Sequence, residues 1–205
     1  MIKISRRLFV ALLTFAWLCP IQPVMAGESP DAFIARLAAG AIENLTAPDI
    51  PPEERQERFR TMLQDGFDLE NVSNFLLGPF RRKASDEEID AFRSALEDNV
   101  VVTYAWRFAS YNGQEFNVGG VRDGSRGQKV VSSTLKQNGD APPVTIEWRL
   151  TPHDDSWRIF DIVIEGLSML VTQRDEYAAV IRRNDGQVGA LIDAIRAQNE
   201  KLRNS

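Results

Sequence analysis

Residues 157–164 read Trp-Arg-Ile-Phe-Asp-Ile-Val-Ile, apolar at both odd and even positions. A strand with one solvated face alternates, whereas one that is apolar on both sides must be covered on both faces. This stretch therefore predicts a central strand with packed layers above and below. Gly166 marks its exit. Leu167, Met169, Leu170 and Val171 then supply more apolar surface than a turn needs, with no side chain able to do chemistry. Such a surplus suggests the wall of a cavity. Residues 167–171 read equally as loop, strand extension or helix.

The rest of the chain falls into a helical part, a strand-rich part and a second helical part. Ser29-Pro30 is a helix start, with proline at the first helical position, and the apolar spacing of Phe33, Leu37 and Ala41 carries it to about Leu45. Pro48, Pro51 and Pro52 break it. A charged helix follows over 53–63, with Phe59, Met62 and Leu63 inward and Gly66 at its end. A shorter apolar one covers 68–77, stopped by Gly78-Pro79. Ser85 and Glu88 form a capping box. From there Ile89, Phe92, Leu96, Val100, Tyr104 and Phe108 keep a helical rhythm towards Tyr111, although the β-branched run 100–103 also favours strand.

Strand-like segments at 115–121, 128–136, 144–151 and 157–164 are separated by Gly, Asp, Asn and Pro clusters. Val144, Ile146, Trp148 and Leu150 alternate with Thr145, Glu147, Arg149 and Thr151, as in a strand with one buried face. Short connections predict antiparallel hairpins. Helix returns over 171–183 and, after Gly186, over 188–203. The expected class is α+β, with residues 27–112 mainly helical, 113–165 an antiparallel sheet and 166–205 helical.

The first 26 residues have the three parts of an export signal: basic residues Lys3, Arg6 and Arg7, an apolar run over 8–19, and small residues ending in Ala26. The run is too short to span a bilayer. Ser5-Arg6-Arg7-Leu8-Phe9 fits the twin-arginine route as well as an ordinary Sec signal. Cys19 follows Leu18 rather than a small residue, so it does not make a lipoprotein box. A soluble mature protein is expected. Cleavage after Ala26 takes the formal charge from −5 to −8 and removes the single cysteine. So acidic a chain is a poor nucleic-acid binder. It also has no disulfide or thiolate ligand, and its stability must come from packing. About 180 residues suffice for one domain.

Catalytic and metal-binding patterns are scarce. His153, with Asp154 and Asp155, is the lone histidine and reads as a hairpin turn. A Ser-His-Asp triad would have to use it, without a G-x-S-x-G elbow. No glycine loop of phosphate-cradling type is present. Asp161 is the exception, because an acid inside an apolar strand must be paired or hydrogen-bonded. Arg174 and the amides near Glu165-Gly166 are candidate partners. Arg81-Arg82-Lys83 and Arg182-Arg183 form basic islands, either solvated helix ends or contacts for phosphate or partners.

Taken together, Trp157, Asp161, Ile164-Glu165-Gly166-Leu167-Ser168 and Arg174 resemble the W-k-v-y-D-v-x-i-E-G-v-S-l-x-x-x-y-R signature of the MlaC, or toluene-tolerance, family. Phe67-Asp68 with Phe75-Leu76-Leu77-Gly78, Ser85 to Phe92, and Tyr104 to Tyr111 (family pattern Y-a-x-x-L-x-x-Y) match further pieces in order. The chain departs from the pattern at Pro79-Phe80-Arg81-Arg82 and at Thr172-Gln173. The resemblance implies a nuclear-transport-factor-like cone with additional helices around an apolar cavity. It also implies a periplasmic carrier of diacyl phospholipid, with that lipid as cargo and no other cofactor. Its partners would be an outer-membrane lipoprotein complex and an inner-membrane ABC transporter that maintains lipid asymmetry.

On that reading the cavity is lined from the helices by Phe75, Leu76, Phe80, Tyr104 and Phe108. From the sheet and its exit it is lined by Trp148, Ile162, Ile164, Leu167, Met169 and Val171. Alternatives are a hopanoid-linked carrier of the same fold, a cone-fold isomerase or hydratase with Asp161 as general base, and an adaptor whose interior is filled by its own side chains.

Overall fold

The computed structural model describes residues 27–204 apart from Asn138 and Asp140, so the expected leader over 1–26 lies outside the described residues. Among them no helix is long and apolar enough to cross a membrane. Helix α1 (Pro30–Leu45) begins where Ser29-Pro30 places it and buries Phe33 and Ile34. Helix α2 (Pro52–Gly66) follows the proline break. Arg55 of α2, only 6% exposed, donates to the carbonyls of Leu45 at 2.9 Å and Ala47 at 3.0 Å. A side chain of the second helix thus satisfies acceptors that the end of the first leaves open.

Helix α3 (Leu69–Leu77) is capped by the Asp68 carboxylate, and Gly78, at φ 51°, ends it. A short 3-10 helix, Gly78–Arg82, leads to α4 (Asp86–Tyr104). Its start is the expected capping box: the Glu88 amide donates to Ser85 Oγ at 3.2 Å and the Ser85 amide to Glu88 Oε2 at 2.9 Å. The sequence rhythm carries this helix to Tyr111, but it stops at Tyr104 and a 3-10 helix, Ala105–Ser110, follows. The tighter winding rotates Phe108 off the Tyr104 stripe. Phe108 there packs on Phe59 of α2, with ring centroids 5.4 Å apart.

The sheet is an antiparallel meander in sequence order: β1 (Glu115–Asp123), β2 (Lys129–Lys136), β3 (Val144–His153), β4 (Ser156–Ile164) and β5 (Leu167–Ser168). Helices α5 (Met169–Arg183) and α6 (Val188–Arg203) complete the chain. Strand β4 is not central by position, because only the two-residue β5 lies beyond it. Its middle is nevertheless covered on both faces, around Ile159 on one and around Phe160 on the other. Between Arg149 and Leu150 the β3–β4 register shifts, from Arg149↔Asp161 to Leu150↔Ile159, leaving Phe160 unpaired in a bulge. Phe160 turns to the helical side, while Ile159 and Ile162 stay on the other.

Two cores result. Helices α3 to α6 bury Leu77, Phe92, Tyr177, Ile181 and Leu191 against one face of the sheet, with Phe92 and Tyr177 edge to face at 5.8 Å. Burial pushes the Tyr177 phenol above its ordinary range, helped by the nearby Glu176 and Tyr104. Helix α1 packs Phe33 and Ile34 on the other face, against Val131, Leu150 and Ile159. A buried asparagine locks α6 to α4: Asn199 donates to the Ala95 carbonyl at 3.1 Å and accepts from Asn99 at 2.8 Å.

Arg60 of α2 reaches Glu97 at 2.7 Å and Asp98 at 2.6 Å on α4, and Arg203 of α6 reaches Asp98 at 2.8 Å. Burial by itself would raise the Asp98 carboxyl, but its bonds to Arg203 and Arg60 outweigh burial and hold it below the usual range. A depressed folded-state value stabilises the protein above the unfolded-state value of about 4. That contribution is lost as pH falls through the folded-state value. Urea unfolding at neutral pH and near pH 3 is expected to show a smaller acid-induced fall in midpoint for Asp98→Asn than for the native chain. Equal falls would remove this network from the acid response.

Candidate functional site

Cross-strand partners in an antiparallel sheet point to one face. Registers Leu135↔Phe116, Val131↔Trp148, Trp148↔Ile162 and Ile146↔Ile164 therefore make one continuous apolar face across four strands. Its polar atoms are satisfied internally. Trp148 Nε1 donates to Ser133 Oγ at 2.8 Å, and that hydroxyl donates to the Ile146 carbonyl at 3.4 Å, so the indole presents its carbons to the face. Phe116 meets Trp148 edge to face at 6.2 Å. Helix α1 covers the part of this face around Val131, Leu150 and Ile159. Beyond it the face runs on through half-buried Ile146 and Ile164 to Leu167, paired with Ile164 and 66% exposed.

The turn that carries Leu167 is built by the motif around it. Glu165 and Gly166 both take positive φ, 48° and 82°, as a two-residue hairpin turn of this hand requires. The Glu165 carboxylate accepts from the Thr145 amide, and the Glu165 amide donates to the Thr145 carbonyl at 3.0 Å. Ser168 caps α5, accepting from the Val171 amide at 3.0 Å. Its hydroxyl donates to Asp161 Oδ2 at 2.7 Å, the Leu170 amide donates to Oδ1 at 3.1 Å, and Arg149 pairs with Oδ2 at 3.0 Å.

Asp161 thus joins β3, β4 and the start of α5. The partner suggested by sequence, Arg174, is not among its contacts. Arg174 pairs with Asp175 at 2.9 Å and stacks on Phe75, 5.1 Å from the ring centroid. The register pairs Asp161 with Arg149 instead. Its side chain is 2% exposed, and its two oxygens accept from three donors.

The eleven residues expected to line one cavity fall into separate places. Trp148, Ile162, Ile164 and Leu167 share the apolar sheet face. Met169 and Val171 are exposed on the first turn of α5. Phe75, Leu76 and Phe80 belong to the helical core on the opposite side, where Phe75 packs edge to face on Phe160 at 5.7 Å. Tyr104 is exposed at the end of α4, and Phe108 lies on Phe59. Phe116, Val118 and Ile146 were not among the eleven. The alternation Phe116-Asn117-Val118 and the Val144–Leu150 pattern already mark them as facing inward.

An open cleft of about 350 Å³ is lined by Phe75, Leu77 and Pro79 and by Arg174 and Arg182, the last from one of the two basic islands. Arg81 of the other island donates to Asn74 at 2.9 Å. His153 sits exposed at the β3–β4 hairpin beside Asp154.

Known proteins share this sequence pattern and this fold. The family model described as MlaC protein matches residues 35–197. The toluene tolerance protein ttg2D of Pseudomonas putida is 24% identical over 204 residues, covering 94% of this chain and 90% of that protein. A phospholipid-binding protein from Ralstonia solanacearum, solved in complex with a phospholipid, superposes with a TM-score of 0.75 at 21% identity. The match spans 84% of this chain and 98% of that one.

Proposed function

The chain belongs to the MlaC family, and from that premise we propose that it is a periplasmic carrier that holds a diacyl phospholipid against the open apolar face of its sheet. The observation that carries this reading is the continuation of that face past the cluster packed under α1, through half-buried Ile146 and Ile164 to exposed Leu167. Two acyl chains of about 30 methylenes bury roughly 20 kcal/mol of apolar transfer energy. A bilayer offers nearly the same. Transfer is then close to isoenergetic, and direction comes from the partners at either end, an outer-membrane lipoprotein complex and an inner-membrane ABC transporter. The phospholipid held by the Ralstonia relative supports the cargo class. The sealed position of Asp161 supports a carrier rather than an isomerase or hydratase.

The test is mass spectrometry of lipid extracted from the protein purified from a periplasmic fraction without detergent. Near-stoichiometric diacyl phospholipid is the expected result. A hopanoid would redirect the cargo assignment to a hopanoid-linked carrier of the same fold, and lipid-free protein would overturn the carrier reading.

A further inference from the structure

The end of α4 and the 3-10 helix after it form a tip with two exposed aromatic rings. Tyr104 is 44% exposed and Trp106 59%. Between them stands Arg107, its guanidinium carbon 5.2 Å from the Tyr104 ring centroid and 5.5 Å from that of Trp106. Among the described residues no carboxylate pairs with it. The segment is held from beneath by buried Ala105 and by Phe108 on Phe59. The cation and its two flanking rings are therefore ordered before any partner arrives. In the pattern Y-a-x-x-L-x-x-Y, Tyr104 is the leading tyrosine, and Trp106 and Arg107 stand at two of the four open positions.

We propose that residues 104–107 form a docking tip for an anionic phospholipid membrane surface, with the two rings at the headgroup boundary and Arg107 on a lipid phosphate. Tryptophan and tyrosine favour the interface between headgroups and hydrocarbon, where one end of the ring is apolar and the other wet. The planar guanidinium matches phosphate in a bidentate fork. The acidic chain as a whole is repelled by an anionic surface. Contact is thereby favoured at a point that carries an exposed cation with no carboxylate partner among the described residues. Trp, Tyr and Arg also anchor protein interfaces, but there they sit at the centre of a larger buried patch. Here the exposed neighbours Ala109, Ser110 and Asn112 are small and polar.

The full chain, expressed so that its leader is processed and purified with its lipid, is floated with vesicles of phosphatidylcholine alone or with 30% phosphatidylglycerol (on the order of a bacterial anionic fraction). Binding is expected to the anionic vesicles and to weaken with salt. Arg107→Ala should reduce it about fivefold, and Trp106→Ala on the order of tenfold. Both variants should keep their thermal midpoint and extracted lipid. Failure of the native chain to bind, which would leave the tip to a protein partner, overturns the proposal. So does unchanged binding by both variants. Loss of extracted lipid with vesicle binding retained also overturns it, by assigning these residues to cargo. Because cargo is measured in the same samples, a lipid-free protein that still floats would sink the carrier reading and leave the docking tip standing.

Discussion

Asp161→Ala is expected to lower stability by about 3 kcal/mol, a fall in Tm of roughly 6–12 °C for a chain of this size. The carboxylate accepts from Ser168, from the buried Leu170 amide and from Arg149. Its removal leaves the amide and the hydroxyl without acceptors in a site that water does not reach, and it cuts α5 loose from β4. Arg149→Met leaves that buried carboxylate without its cation but keeps both neutral donors, and because Arg149 is itself partly solvated it should cost somewhat less, about 2 kcal/mol. Asp161→Asn, which keeps one acceptor oxygen, should fall between. Differential scanning calorimetry of the three variants gives the order, and an Asp161→Ala midpoint within about 2 °C of the native protein would refute the assignment. The same series separates a structural from a catalytic carboxylate, because only a structural one changes the melt.

Ile164→Glu should empty the carrier. The residue lies on the part of the apolar face that α1 does not cover, beside Ile146 and Leu167. A carboxylate there reaches water when the face is bare and would have to be buried under acyl chains when it is loaded. An uncompensated buried charge costs several kcal/mol. Extracted lipid should therefore drop by at least about a hundredfold while circular dichroism and Tm stay near native. Thr134→Glu, exposed on the other face of the sheet, is the control and should keep its lipid. Retention of lipid by a folded Ile164→Glu protein would move the site elsewhere.

Local signals were legible in sequence wherever one residue type has one physical use. Ser29-Pro30, the Ser85–Glu88 box and Gly78 fix helix ends that the structure reproduces, and the alternation from Val144 to Leu150 fixes a strand and its inner face. What could not be read was sidedness. Phe75, Leu76 and Phe80 are as apolar as Trp148 and Ile162, yet they pack on opposite sides of the sheet. The bulge at Phe160 decides which β4 side chains face which core, and no residue at that point announces it. The same register gives Asp161 to Arg149 rather than to Arg174, although the two arginines lie almost equally far along the chain. At the end of α4, spacing favoured continued helix. The contact between Phe108 and Phe59, 49 positions apart, favoured a tighter turn.

On the proposed carrier reading the protein makes part of its cycle with the apolar sheet face bare. Here the load-free state retains an entire second core, in which Phe92, Tyr177, Ile181 and Leu191 are packed on the far side of the sheet and never touch the cargo face. On the carrier reading the empty form keeps this far-side core, so it should still melt cooperatively, at a lower midpoint than the loaded form.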